Sequence, residues 1–176
     1  NSVIFVPQNK DFSYTADDIM NFFDDKDIGL LVVINPDNPS GNYIPKSDLL
    51  RLVNWAAKKG IKIVIDESFV DFSDCEDSTI ILQDILDANK HLYVVKSISK
   101  SYGVPGIRLG ILASGDVDTI SFIKRDVAIW NINSFGEFYM QIAEKYKKDY
   151  AAALEKFRTE RKRFENELNN INGIRV

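Results

Sequence analysis

Continuous apolar runs, separated by proline, glycine and charged residues, constrain this fold more than any other feature of the sequence. The first run, at 29–34, reads Gly-Leu-Leu-Val-Val-Ile and is typical of a strand buried on both faces. Further strands are predicted at 61–65, 91–95 and 109–113. Helical patterns lie between the strands, so the sequence predicts an α/β fold with a mainly parallel sheet sandwiched by helices.

The rest of the sequence predicts a short strand near the start and helices before, between and after the strands of the sheet. The other predicted elements are a strand at 3–6 and helices at 15–23, 46–59, 80–88 and 116–125. Aromatic and aliphatic residues recur every three or four positions through 134–170, which predicts one long helix or two shorter ones. We expect the aromatic stripe from Phe135 to Phe157 to pack in a core or against a second subunit. A length of 176 residues corresponds to about one domain.

The composition argues against several kinds of site. The formal net charge of -4 gives no general reason to bind nucleic acid or an anionic membrane. Cys75 and His91 are the only cysteine and the only histidine, which excludes an internal disulfide, multi-histidine or cysteine-rich metal centres, and histidine-based triads. We therefore expect no metal, no nucleic acid, no membrane and a cytoplasmic location. Any catalysis must use lysine, aspartate, tyrosine, arginine or a cofactor.

Polar side chains collect where the predicted strands end or begin. In chain order they are Asn35, Asn38, Asp66, Ser97, Ser99, Lys100 and Arg108. Ligands of open α/β sheets bind beyond the carboxyl ends of the strands, so we expect these groups at one edge of the sheet. Pyridoxal phosphate needs an amine for its aldehyde, an anion for its ring nitrogen, and hydroxyls and a cation for its phosphate. The set of residues therefore predicts a pyridoxal phosphate site.

The same residues lie in motifs that resemble a known family. The segment 35–41, Asn-Pro-Asp-Asn-Pro-Ser-Gly, resembles the asparagine-proline motif of class I/II aminotransferases, and 65–72 resembles their next motif. Ser-Ile-Ser-Lys at 97–100, with Gly-Ile-Arg-Leu-Gly at 106–110, resembles their lysine-arginine motif. The histidinol-phosphate aminotransferase and threonine-phosphate decarboxylase branch is the most similar, also through Trp-Asn-Ile-Asn-Ser at 130–134. The resemblance covers essentially the whole chain in the right order.

The resemblance implies a fold and a role for each motif residue. The fold is the large domain of a fold-type-I (aspartate aminotransferase-like) enzyme, dependent on pyridoxal 5'-phosphate. Lys100 would hold the cofactor as a Schiff base and later move a proton between the substrate's Cα and the cofactor. Asp66 would pair with the pyridinium nitrogen, and Asn38 would donate to the phenolic oxygen.

The resemblance also assigns the phosphate and the assembly. Ser97, Ser99 and Arg108 would hold the cofactor phosphate. The chain would be part of the large domain over 1–176, helical from about 134 and leading toward a small domain, and the glycine-rich loop and substrate-carboxylate arginine would lie outside it. Family members are usually homodimers, so we expect a homodimer that converts an amino acid into a keto acid.

One departure from the family pattern keeps a second reaction open. Phe69 stands where most aminotransferases have a tyrosine, and a phenylalanine cannot donate a hydrogen bond to the phenolic oxygen. Phenylalanine there is more typical of the decarboxylases in the branch. The first expectation is therefore transamination, the second is decarboxylation of a phosphorylated amino acid, and the third is a binding domain without catalysis.

Simpler interpretations exist for several of these residues. Lys100 could be a solvated loop lysine, and Arg108 could be part of a surface ion pair. Glu67 and Asp71 are interpreted as structural or surface carboxylates. Cys75 lies among acidic residues, which raise a thiol pKa, and so is not expected to be a nucleophile.

Overall fold

A computed structural model of the chain describes residues 2–74 and 77–176. The chain divides into two compact units, one that runs to Asn131 and one from Ile132 to Val176. Cys75, predicted to be unreactive, lies outside the described residues. No helix in the described parts of the chain is long and apolar enough to span a bilayer.

The first unit contains a four-stranded sheet. The strands are β1 (Leu30–Ile34), β2 (Lys62–Asp66), β3 (Leu92–Ser97) and β4 (Gly110–Ser114). They lie in the order β1-β2-β3-β4, with the first three parallel and β4 antiparallel to β3. The predicted α/β fold with a mainly parallel sheet is therefore confirmed.

The helices follow the predicted pattern, with short 3-10 turns between them. They are α1 (Ala16–Phe23), α2 (Lys46–Lys59), α3 (Gln83–Ala88), α4 (Ile98–Ser101), α5 (Val117–Asp126), α6 (Ser134–Ala143) and α7 (Lys147–Asn169). α1 begins at a capping box in which Thr15 and Asp18 bond each other's backbone N–H groups. α2 ends where Gly60 adopts a left-handed conformation, with φ of 70°, and donates its N–H to Ala56 and Ala57.

The core lies between the sheet and helices α1 and α2. Its buried apolar side chains include Ile19, Phe23, Leu31, Val33, Leu49, Leu52, Val53, Ile63 and Ile65. Because the helices cover one face of β1, its side chains alternate between buried and exposed. Leu30 is 55% and Val32 60% exposed, so the prediction that this strand is buried on both faces was wrong for the described chain. An open groove of about 1030 Å³ runs along that exposed face.

Two further expectations need correction. The strand predicted at 3–6 does not form, and Phe5 instead makes edge-to-face ring contacts with Tyr14 and Phe22, which hold the segment without a strand ladder. In the second unit Phe135 is 80% and Phe138 61% exposed. The aromatic stripe therefore does not form a core within that unit, and its role as a subunit contact stays a prediction.

Candidate active site

The ends of the three parallel strands meet at one edge of the sheet. The register places Ile34 beside Asp66 and Asp66 beside Val95. Hydrogen bonds continue past the strand ends, from the Asn35 N–H to the Asp66 carbonyl at 2.9 Å and from the Glu67 N–H to the Val95 carbonyl at 2.8 Å. The predicted edge therefore exists, and the turns that follow the strands lie next to one another.

Asp66 is the last residue of β2 and is half-buried. Its Oδ1 accepts a hydrogen bond of 2.8 Å from the backbone N–H of Ser68. A carboxylate can accept about four hydrogen bonds, so Asp66 keeps acceptor capacity for a cationic partner. The position fits the predicted role opposite a protonated ring nitrogen.

Glu67, the next residue, is fully buried. Its carboxylate accepts hydrogen bonds from the Thr79 hydroxyl at 2.6 Å and from the backbone N–H of Ile80 at 2.7 Å. Burial raises the pKa of Glu67 above its usual value, although both hydrogen bonds and the charge of Lys96 act in the opposite direction. Of the two predicted interpretations, structural or surface, the structure supports the structural one.

A partly buried ion pair joins the turn after β2 to the end of β3. The Lys96 ammonium lies 2.7 Å from Asp71 Oδ1, and the two side chains are only 10% and 18% exposed. Lys96 is not among the predicted site residues. Its nearest signal was a charged residue inside an otherwise apolar strand, which predicts a buried partner but does not identify it.

Lys100 lies on α4, directly beyond β3, and its side chain is exposed. Its Nζ is 5.5 Å from the centroid of the Phe69 ring, so the structure brings these two predicted residues together. No carboxylate of the described residues forms an ion pair with Lys100, whereas the nearby Lys96 is paired with Asp71. Of the two lysines at this edge, Lys100 is therefore the one whose amine is accessible.

The antiparallel pairing of β4 with β3 brings together the two chain segments that contain the residues predicted to bind the phosphate. Ser97 lies opposite Gly110, and the Ile98 N–H donates to the Leu109 carbonyl at 3.1 Å. Arg108, one residue earlier, is exposed and has a left-handed backbone with φ of 54°. Its guanidinium donates one hydrogen bond, to the Pro105 carbonyl at 3.3 Å, out of five that it can make.

Two hydroxyls next to Lys100 are left without partners. The Oγ atoms of Ser99 and Ser101 are buried and accept or donate no hydrogen bond within the described residues. Ser99 as a whole is 3% exposed. Buried hydroxyls are normally hydrogen-bonded, so these two are candidates for bonding a group that the chain itself does not supply.

The asparagine-proline segment holds one buried and one exposed asparagine. Asn35 is buried, and its side-chain amide donates to the Ile44 carbonyl at 3.0 Å and accepts from the Ile44 N–H at 2.8 Å, which makes it structural. Asn38 is exposed, and no hydrogen bond joins it to another described candidate residue. Its predicted bond to the cofactor stays a prediction.

A profile of the family described as "Aminotransferase class I and II" matches residues 2–176. The chain belongs to the class I and II aminotransferase family. Two curated relatives are the L-serine phosphate decarboxylase of Sulfurospirillum multivorans, 32% identical over 99% of this chain and 45% of its own, and the histidinol-phosphate aminotransferase of Ruminiclostridium cellulolyticum, 30% identical over 96% and 45%. This chain therefore spans about half the length of the curated relatives it matches.

Solved structures of the family share the fold. The histidinol-phosphate aminotransferase from Clostridium acetobutylicum superposes with a TM-score of 0.83 and 29% identity, over 97% of this chain and 50% of that one. The predicted resemblance to the branch and its fold is confirmed. The branch contains both aminotransferases and phosphoamino-acid decarboxylases, so family membership alone leaves the reaction open.

Family membership supports pyridoxal phosphate as the cofactor, and the residues present fit it. Asp66 offers a carboxylate, Lys100 an accessible amine, and Ser99 and Ser101 unpaired hydroxyls at the same edge. A metal is a different matter. Among residues 2–74 and 77–176 no group of three or more histidine, cysteine, aspartate or glutamate side chains could hold one.

Proposed function

We propose that this chain is the cofactor-binding part of a pyridoxal-phosphate-dependent aminotransferase that acts on an amino acid. One observation carries the proposal: the accessible amine of Lys100 lies over the Phe69 ring, next to the turn that begins at Asp66. An amine without a charged partner, near a half-buried carboxylate, is what the two ends of this cofactor require.

Each residue has a separate task in the proposed reaction. When bound, pyridoxal phosphate supplies an electron-accepting ring that stabilises negative charge at the substrate's Cα. Lys100 would hold the cofactor through its amine and would move the proton at the substrate's Cα. Asp66 would favour protonation of the ring nitrogen, because an anionic carboxylate beside that nitrogen stabilises its charged form.

The other candidates bind and orient rather than react. Ser97, Ser99 and Arg108 hold the phosphate, with Arg108 supplying the charge and the serines supplying hydroxyl donors. Asn38 donates to the phenolic oxygen. Phe69 lies beside Lys100, and its apolar ring would not supply the phenolic oxygen with the donor that a tyrosine would provide.

A second reaction is supported by Phe69 and by the relatives. The L-serine phosphate decarboxylase that matches 99% of this chain shows that the branch includes enzymes named for decarboxylating a phosphorylated amino acid. Phe69 faces Lys100 in the structure, so the departure from tyrosine lies at the reacting end of the site. The alternative function is therefore decarboxylation of a phosphorylated amino acid at the same site.

Absorbance spectra test the cofactor and the reaction in one experiment. The full-length protein, mixed with pyridoxal phosphate, should show an absorbance band at about 410–430 nm from cofactor held by a lysine amine. Lys100→Ala should abolish the band, while Lys124→Ala, a matched change of an exposed lysine on α5, should keep it. If the wild type shows no band, the chain is a binding domain without this chemistry.

Added amino acids then separate the two reactions. Conversion of the bound cofactor to its pyridoxamine form, with release of a keto acid, identifies an aminotransferase. Release of carbon dioxide and an amine, with the original band restored, identifies a decarboxylase. Phosphorylated and unphosphorylated amino acids should be compared side by side, because the alternative requires the phosphate.

The proposal includes a homodimer. The exposed aromatic side chains of α6, Phe135 and Phe138, support a subunit contact in the second unit. Light scattering of the encoded protein should give twice the mass of one chain, and a monomer mass would contradict this part of the proposal.

A further inference from the structure

Ser68 makes two hydrogen bonds that join the two halves of the candidate site. Its backbone N–H donates to Asp66 Oδ1 at 2.8 Å, and its side-chain Oγ accepts from the backbone N–H of Ser97 at 3.0 Å. Asp66 lies at the end of β2, and Ser97 lies at the end of β3, 29 residues from Ser68 in the chain. One small side chain therefore links the carboxylate turn to the segment that carries Lys100.

The segment that carries Lys100 has few anchors of its own. α4 has four residues, and no side chain caps its first turn. A helix of one turn is not stable alone, so its position depends on the contacts at its ends. Two backbone groups at its start are fixed by other elements: the Ser97 N–H by Ser68 and the Ile98 N–H by Leu109 at 3.1 Å.

The turn that contains Ser68 is held by other contacts. Glu67 is bonded to Thr79 and Ile80, and Asp71 is paired with Lys96. Removal of the Ser68 hydroxyl leaves all of these contacts and its own N–H bond to Asp66 in place. The hydroxyl is therefore dispensable for the turn, and its one described hydrogen bond is to the Lys100 segment.

The geometry points to Ser68 as a positioning residue, whose hydroxyl holds the segment bearing Lys100 in register with Asp66. This inference rests on the proposed function. The relative position of the two segments matters for binding because Lys100 and Asp66 are proposed to bind the same cofactor, one at its aldehyde and the other at its ring nitrogen. Ser68 itself is not placed on the reacting atoms. It acts through the backbone of Ser97.

Ser68→Ala removes the hydroxyl, and Ser68→Thr keeps it. The loss of one hydrogen bond should weaken pyridoxal phosphate binding to the apoprotein about three- to tenfold in Ser68→Ala. Ser68→Thr should stay within about twofold of wild type. Ser121→Ala, an exposed serine on α5, serves as the matched control and should bind as wild type does. Equilibrium dialysis measures all four constants.

Hydrogen exchange in the apoprotein tests the anchor without the cofactor. Ser68→Ala should speed amide exchange in a peptide that covers 97–101, while a peptide from β2 exchanges at the wild-type rate. The midpoint of thermal unfolding of the apoprotein should fall by no more than about 2–4 °C, since one half-buried hydrogen bond worth about 1 kcal/mol is lost.

The outcomes distinguish this inference from the proposed function. Weaker binding with faster exchange at 97–101, both restored in Ser68→Thr, supports the positioning role. Wild-type binding in Ser68→Ala overturns it, and so does a loss that Ser68→Thr does not restore. If wild type itself binds no pyridoxal phosphate, the proposed function fails and the positioning role fails with it, while the exchange data still report whether the anchor exists.

Discussion

Two neighbouring segments at the carboxyl edge of the sheet are held in different ways. In the turn after β2, the side chains of Asp66, Glu67 and Asp71 all have partners in the chain, and the contact of Glu67 with Ile80 is buried while the other two are partly buried. In the segment after β3, Lys100 is exposed, and within the described residues neither its amine has an ion-pair partner nor the buried Ser99 hydroxyl a hydrogen-bond partner.

The difference shows which half of the site the chain completes by itself. The turn after β2 is organised before any ligand binds, since each of its carboxylates already accepts a hydrogen bond from the chain. The segment after β3 keeps its polar groups for partners that the described chain does not provide. Substitution of Glu67 or Asp71 should therefore cost mainly stability, whereas substitution of Ser99 or Lys100 should cost cofactor binding.

The largest contrast is expected between the two lysines at this edge. Lys100→Ala should lower turnover of the encoded protein by at least about 100-fold, because it removes the group that transfers the proton. Its free energy of unfolding should change by less than about 0.5 kcal/mol, since the side chain is exposed. Steady-state kinetics and urea unfolding check both values. Turnover within tenfold of wild type would contradict the assignment.

Lys96→Met should instead lower the stability of the protein. It leaves Asp71 in a largely buried place without the ammonium, which should lower the free energy of unfolding by about 3 kcal/mol. A double-mutant cycle with Asp71→Asn isolates the pair, and the control is Lys124→Met on the surface of α5. A loss as small as that of the control would show that the pair does not stabilise the turn.

Glu67→Gln should change how stability depends on pH. Because the folded-state pKa of Glu67 is raised, the folded state binds more protons than the unfolded state between the usual carboxyl value of 4.5 and the raised one. Its contribution to stability is therefore greatest below that window and falls as pH rises through it.

The glutamine variant should lack that pH dependence. Below that window it should also be less stable by about 1 kcal/mol, since the amide oxygen can keep the Ile80 bond but the amide NH2 reverses the direction of the Thr79 bond. Urea unfolding from pH 4.5 to 7.5 measures both effects. Identical slopes for wild type and variant would refute the attribution to Glu67.

The smallest effect is expected for Ser99→Ala, which should raise the stability of the apoprotein but lower its affinity for the cofactor. Ser99→Ala removes a buried hydroxyl that has no partner within the described residues, so it should stabilise the apoprotein by about 1 kcal/mol. The same change should weaken pyridoxal phosphate binding, because the proposed phosphate donor is lost. Thermal unfolding with and without cofactor tests this pair of outcomes. Destabilisation of the apoprotein would mean that the hydroxyl is bonded in solution.

The sequence predicts the elements best where local chemistry decides them. The helix at Lys46–Lys59 matches its prediction because its apolar positions recur with helical spacing and Gly60 ends it. The strand at 29–34 is found, but its two-sided burial is not, because burial of a face depends on what packs against it. A strand at 3–6 fails for the related reason that a ladder needs a partner.

The candidate site shows the same division between features that the local sequence determines and features that depend on the fold. The motifs predict Asp66, Phe69, Lys100 and Arg108, and the structure places Phe69 against Lys100. The supporting contacts could not be read from the sequence, since Asp66 and Glu67 are adjacent yet only Glu67 is fully buried. Their difference arises from the alternation of side chains at the end of β2, and it requires the register of the sheet.

The most direct test of this account is to find which lysine holds the cofactor. The encoded protein is incubated with pyridoxal phosphate, reduced with borohydride to fix the cofactor on the amine that holds it, and digested for peptide mass mapping. The account predicts the label on Lys100 and none on Lys96, which is paired with Asp71. A label on Lys96 or on another lysine, or no label at all, would contradict it.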